Sequence, residues 1–100
     1  MKYVNQEKKK LKKARTLILS CSFCKRELLY YQKMGKGSLL KLFVDRVITM
    51  EMPLGERDLV CPFCKEVLGN LLELEGDRVY KMIRGTYQTK DTNKRIQLWR

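Results

Sequence analysis

A small domain of antiparallel sheet, mainly β, is the fold class this sequence predicts, and three observations predict it. Apolar residues fall in short runs separated by turns that contain Gly or Pro. The four cysteines form two Cys-x-x-Cys pairs with 36 residues between them. The chain has 100 residues, the length of one domain, and its 44% hydrophobic content supports only a thin core, so a clip between distant strands would matter.

Residues 1–16 read as a basic N-terminal arm and residues 17–100 as the β domain. From Asn5 to Arg15 the chain is rich in Lys and in good helix formers, with Val4, Leu11 and Ala14 as the apolar members, and a short, frayed helix or a flexible arm is expected. Leu17 to Leu19 leads as a strand into the first cysteine pair. Glu27 to Lys33 carries Leu28, Leu29, Tyr30 and Tyr31; Met34-Gly35-Lys36-Gly37 supplies a turn, and Ser38 to Val44 returns as the second arm of a hairpin. Val47 to Met52 is a further strand, stopped by Pro53 and Gly55, and Asp58 to Val60 leads into the second pair. Val67 to Leu74 fits helix and strand periods equally poorly. Gly76-Asp77 turns the chain into a strand over Arg78 to Gln88, with a bulge at Gly85. Thr89 to Asn93 reads as a turn, and Ile96, Leu98 and Trp99 as a last strand.

The segments Leu19-Ser-Cys-Ser-Phe-Cys-Lys-Arg-Glu-Leu28 and Leu59-Val-Cys-Pro-Phe-Cys-Lys-Glu-Val-Leu68 agree at Leu, Cys, Phe, Cys, Lys and Leu, at an offset of 40. The same device is used twice, so two halves related by a pseudo-twofold axis are expected, with whatever the cysteines hold on that axis. The apolar stretch after Arg15 is too short for a signal peptide, and no apolar run is long enough to span a bilayer, so a cytoplasmic protein without membrane contact is expected. Thiols in that compartment bind metal or do redox work more often than they form structural disulfides. Zinc takes four tetrahedral ligands, and two residues between cysteines let one tight corner present both sulfurs. Cys21, Cys24, Cys61 and Cys64 are therefore the expected ligands of one structural Zn2+; His is absent from the chain. Lys25 and Lys65 follow the second cysteine of each pair, where they can offset thiolate charge. Iron in a rubredoxin-like site is the alternative metal. A thiol–disulfide oxidoreductase is the alternative chemistry, because Cys61-Pro-Phe-Cys64 alone resembles a glutaredoxin motif; Pro62 is the last proline, so the later cis-proline of that fold is missing.

The paired corners resemble the zinc-ribbon class. Cys61-Pro-Phe-Cys-Lys-Glu-Val-Leu-Gly69, with Arg78-Val-Tyr-Lys-Met-Ile-Arg84 beyond it, is similar to the second zinc corner of Yippee-like, β-tent domains. That resemblance implies antiparallel sheets pinned at an apex by zinc on Cys21, Cys24, Cys61 and Cys64. The stretch between the corners is shorter here than in that family, and both corners carry Lys where zinc knuckles usually carry Gly. Relatives of that architecture include a methionine sulfoxide reductase and RNA-end sensors; the reductase activity does not carry over, since it needs a further cysteine. The Leu-Leu-Tyr-Tyr-Gln-Lys run and Gly-Lys-Gly turn are also similar to small uncharacterised prokaryotic proteins with two Cys-x-x-Cys pairs, a likeness that brings no function with it.

The formal net charge is +11, and six of those excess charges lie in residues 1–20. Four thiolates around one Zn2+ would leave about +9. Such a surplus points to a polyanion, either RNA or DNA. Lys8, Lys9, Lys10, Lys12 and Lys13 on the arm, and Tyr31 with Lys33, Lys36 and Lys41 around the glycine turn, are the candidate contacts. Tyr30 and Tyr31 point to opposite faces of a strand, so one of them is expected to be exposed for base stacking. The alternative is an adaptor for an acidic protein partner in a transcription or translation complex. With no His and no uncommitted Cys, no enzyme is expected; Glu73-Leu-Glu75-Gly-Asp77 reads as a solubilising turn.

Overall fold

The structure is a computed structural model that describes residues 2–35 and 37–92. The described residues form nine strands: β1 (Tyr3–Val4), β2 (Arg15–Cys21), β3 (Glu27–Lys33), β4 (Lys41–Phe43), β5 (Val47–Met50), β6 (Leu59–Val60), β7 (Val67–Leu74), β8 (Asp77–Met82) and β9 (Tyr87–Asp91), with a 3₁₀ turn at Val44–Arg46. They form two antiparallel sheets, ordered β1-β5-β3-β2-β9 and β4-β8-β7-β6. The expected class, mainly β with antiparallel sheets, is observed. No helix among the described residues is long and apolar enough to cross a membrane.

The first four strands of the larger sheet and the four of the smaller sheet repeat one plan. β2 pairs with β3 through Leu19↔Leu29 and Ser20↔Glu27, with a register shift between Leu19 and Ser20. β6 pairs with β7 through Leu59↔Gly69 and Val60↔Val67, with the shift at the matching place. A third strand then closes each meander: Met50 lies opposite Leu29 and Met82 opposite Gly69. An outer strand completes each set, β1 on β5 and β4 on β8. Leu19, Leu28, Leu29, Tyr31, Leu42, Leu59, Leu68 and Tyr80 are all but fully buried in the shared core. Gly69 occupies the place of Leu29 because a side chain there would meet the Lys81 carbonyl oxygen and the Met82 sulfur, both 3.1 Å from a Cβ.

Three expectations are corrected. The hairpin from Glu27 to Val44 does not form: β3 already has β2 and β5 on its two edges, so β4 crosses to the other sheet and pairs Leu42 with Tyr80. The single strand over Arg78 to Gln88 breaks after Met82, turns through Gly85 at φ +87, and resumes as β9 on the opposite sheet, against β2. Thr89 to Asp91, expected as a turn, belongs to that strand, while Asn93, Ile96, Leu98 and Trp99 lie outside the described residues. Val67 to Leu74 resolves as a strand.

The N-terminal stretch is neither a helix nor a detached arm. β1 pairs with β5, and the buried Asn5 side chain donates to the Val44 and Val47 carbonyls, both at 2.8 Å. Further along, the Gln32 side chain accepts from the Leu11 amide at 2.9 Å and donates to the Lys9 carbonyl at 2.7 Å. With so few apolar positions the segment has no stripe to bury as a helix, and polar side chains tie it to β3 and to the 3₁₀ turn instead.

Candidate metal centre and basic groove

Each corner is built from a strand end, a tight turn and the start of the next strand. In the first, the Cys21 amide donates to the Arg26 carbonyl at 3.0 Å and the Lys25 amide to the Cys21 carbonyl at 3.0 Å. In the second, the Cys61 amide donates to the Glu66 carbonyl and the Lys65 amide to the Cys61 carbonyl, each at 2.9 Å. Lys25 and Lys65 take up the left-handed conformation, at φ 64 and φ 68, that glycine adopts without penalty. The departure from glycine therefore leaves the corner geometry intact.

The two corners bring Cys21, Cys24, Cys61 and Cys64 together, with all four sulfurs within 4.8 Å of one another. Two close pairs join one corner to the other, Cys21 Sγ to Cys64 Sγ at 3.5 Å and Cys24 Sγ to Cys61 Sγ at 3.6 Å. A tetrahedron of thiolates about 2.3 Å from a central ion has edges of about 3.8 Å. The two cross-corner edges lie close to that length, so the four thiols form a donor set suited to a metal ion. Cys21 and Cys61 are buried, and Cys24 and Cys64 are half-buried.

The electrostatics of the four thiols favour a cation among them. Burial raises the Cys21 thiol, but the amides of Cys24 and Phe23 and the neighbouring thiols outweigh it and bring it down to about 7. At Cys64 the Glu66 amide favours the thiolate, yet burial and the other three sulfurs prevail and push it up to about 12. One thiol of the set ionises readily, and the next must do so against existing negative charge. A bound cation removes that penalty.

No family model, curated protein or solved structure matches this chain. Function must be argued from the geometry itself.

The other expected site residues are placed as follows. Tyr31 is 1% exposed, not the exposed member of its pair; its hydroxyl accepts from the Phe43 amide at 2.9 Å in the core, and Tyr30 is half-buried instead. Burial raises the Tyr31 phenol, while the Phe43 amide and the Arg46 guanidinium partly offset it. Lys9, Lys10, Lys12 and Lys13 are exposed, Lys8 is half-buried, and Lys9 pairs with Asp45 at 3.4 Å. Lys33 and Lys41 line one groove of about 290 Å³. Lys36 lies outside the described residues.

That groove contains a residue that was missed in the sequence. Arg46 lines it, with its guanidinium 4.3 Å from the centre of the Phe43 ring. Three residues in a 3₁₀ turn make one full revolution, so positions 43 and 46 stack one above the other. The spacing Phe-x-x-Arg after a strand was the available signal. No carboxylate lines this groove among the described residues. The backbone of the Lys-rich segment approaches the same turn, since Gln32, bonded to Lys9 and Leu11, also reaches the Arg46 carbonyl; the Lys9 ammonium itself pairs with Asp45 in a separate pocket that Glu7 and Asp77 also line.

Proposed function

We propose that this protein is a zinc-pinned binding module for RNA or DNA. Cys21, Cys24, Cys61 and Cys64 hold one structural Zn2+. A four-sulfur set of this kind leaves no ligand position for substrate and commits every cysteine, which supports a structural role for the ion. The cross-corner sulfur pairs also favour a shared ion over a dithiol acting within one corner.

The observation that carries the nucleic-acid part is the groove lined by Lys33, Lys41 and Arg46, in which no carboxylate takes part among the described residues. Cations gathered in a concave surface attract phosphates and release their counterions, which makes affinity fall steeply with salt. The test is binding of the zinc-loaded protein to labelled RNA and DNA across a salt series, with metal content measured on the same sample. A steep, linear loss of log affinity against log salt supports the proposal, and absence of binding at low salt removes it.

An adaptor for a protein partner is the second reading, favoured by the exposed apolar residues Phe23, Val67 and Ile83. Their carriers are adjacent: Ser22 donates to the Thr86 carbonyl at 2.9 Å, and Ile83 donates to that of Leu68 at 2.9 Å. Saturable protein binding with little affinity for oligonucleotides would select it.

A further inference from the structure

The groove beside the 3₁₀ turn has walls of two kinds, and phosphate accounts for only one of them. Lys33 and Lys41 supply charge. Met34 and Leu40, also in the lining, are 41% and 57% exposed, and they would gain nothing from an anion. The lining also holds the Arg46 guanidinium on the Phe43 ring, a flat cation backed by an aromatic face. Tyr31 forms part of the floor and accepts the Phe43 amide at 2.9 Å, so it acts as a positioning residue for that ring.

A ligand that satisfies both kinds of wall carries negative charge and a planar apolar face within a few ångströms of each other. A nucleotide does. In a duplex, however, the faces of the bases are stacked against one another and only the phosphates and groove edges are presented outward. Unpaired bases, in contrast, stack readily on aromatic rings and on arginine planes. The groove volume of about 290 Å³ is also that of a small-molecule site and not of a helix twenty ångströms across.

We infer that this groove takes an unpaired base of a single-stranded nucleic acid, stacked on the Arg46–Phe43 pair, with its flanking phosphates on Lys33 and Lys41. The inference rests on the nucleic-acid reading above and narrows it to one form. Arg46 matters here through its plane as well as its charge, so lysine is not a substitute for it.

The test compares affinities, by fluorescence anisotropy at fixed salt, for a thymidine or uridine strand of about eight nucleotides, an abasic strand of the same length and charge, and a duplex. The zinc-loaded wild type is expected to bind the natural single strand about tenfold more tightly than the abasic strand. Arg46→Lys and Phe43→Leu each remove most of that preference while changing affinity for the abasic strand less than about twofold; Lys41→Ala weakens both strands alike. Zinc content checks that each variant is folded. Equal affinity of the wild type for natural and abasic strands, a duplex bound as tightly as the single strand, or an Arg46→Lys variant that keeps the preference would each overturn the inference and leave the broader reading standing. Failure to bind any of the three at low salt removes both.

Discussion

At the first corner Ser22 donates its amide to Thr86 at 2.9 Å, and β9 lies along β2 from Leu17 to Cys21. At the second corner the equivalent position is Pro62, which has no N–H, and among the described residues no strand lies along the outer edge of β6. The corners themselves do not differ in this way. Their hydrogen bonds, left-handed lysines and register shifts coincide at an offset of 40, and residues 21–29 and 61–69 share one pattern of burial. The contrast shows where the constraint acts. A tetrahedral site needs two corners of one shape, so they stay alike; the edges do not touch the site, and one gained a strand while the other ends at a proline that resists further pairing.

If the corners are equivalent, their cysteines should be too. Cys21→Ser and Cys61→Ser should each abolish stoichiometric metal binding and unfold the domain, and a chelator should do the same to the wild type. Binding energy of about 10–16 kcal/mol for a structural ion is then folding energy. Loss of the far-UV strand signature and of cooperative melting checks this. Unequal effects of the two substitutions would break the comparison.

Acid should act through the same cluster. Metal binding displaces thiol protons, so affinity falls as pH falls. With Cys21 lowered to about 7 and Cys64 raised to about 12, the apo site binds one more proton below pH 7 than above it. A plot of log affinity against pH, measured by chelator competition, should therefore steepen by about one proton as pH drops through 7.

The edges offer a smaller and asymmetric pair of changes. Ser22→Pro places at the first corner the residue that the second already accommodates, so it removes the bond to Thr86 with no new strain, and it should cost about 1–2 kcal/mol and loosen β9. Pro62→Ser should lie within about 0.5 kcal/mol of wild type, since no strand waits to receive its amide. Hydrogen exchange at β9 amides and denaturant midpoints read both. Lys25→Gly should stabilise the folded protein slightly, by about 0.5–1 kcal/mol, because glycine reaches φ 64 without the side-chain penalty.

The cysteine corners were legible in the sequence because metal ligation demands residue types at short spacing, and the repeated Leu-x-Cys-x-Phe-Cys-Lys signature stands out of a chain this short. The pairing of strands was less so. Whether Ser38 to Val44 folds back on β3 depends on whether the edges of β3 are taken, and β5, which takes one of them, comes later in the chain. Alternation along β3 implied that one of Tyr30 and Tyr31 is buried. It could not say which, because β3 has a register shift between those two residues and is covered on both faces; Leu28, Leu29, Tyr31 and Gln32 are all buried. The N-terminal stretch was misjudged for a related reason. Its anchors are the polar side chains of Asn5 and Gln32, and such contacts leave no periodic trace.

The central claim is that four thiolates share one ion, and the most direct measurement is the mass of the natively folded protein together with elemental analysis and thiol titration of the same sample. The account predicts one zinc per chain, no disulfide, and four thiols that become reactive together only when the metal is removed. A metal-free folded protein, or one in which a cysteine pair reacts independently of the other, would contradict it.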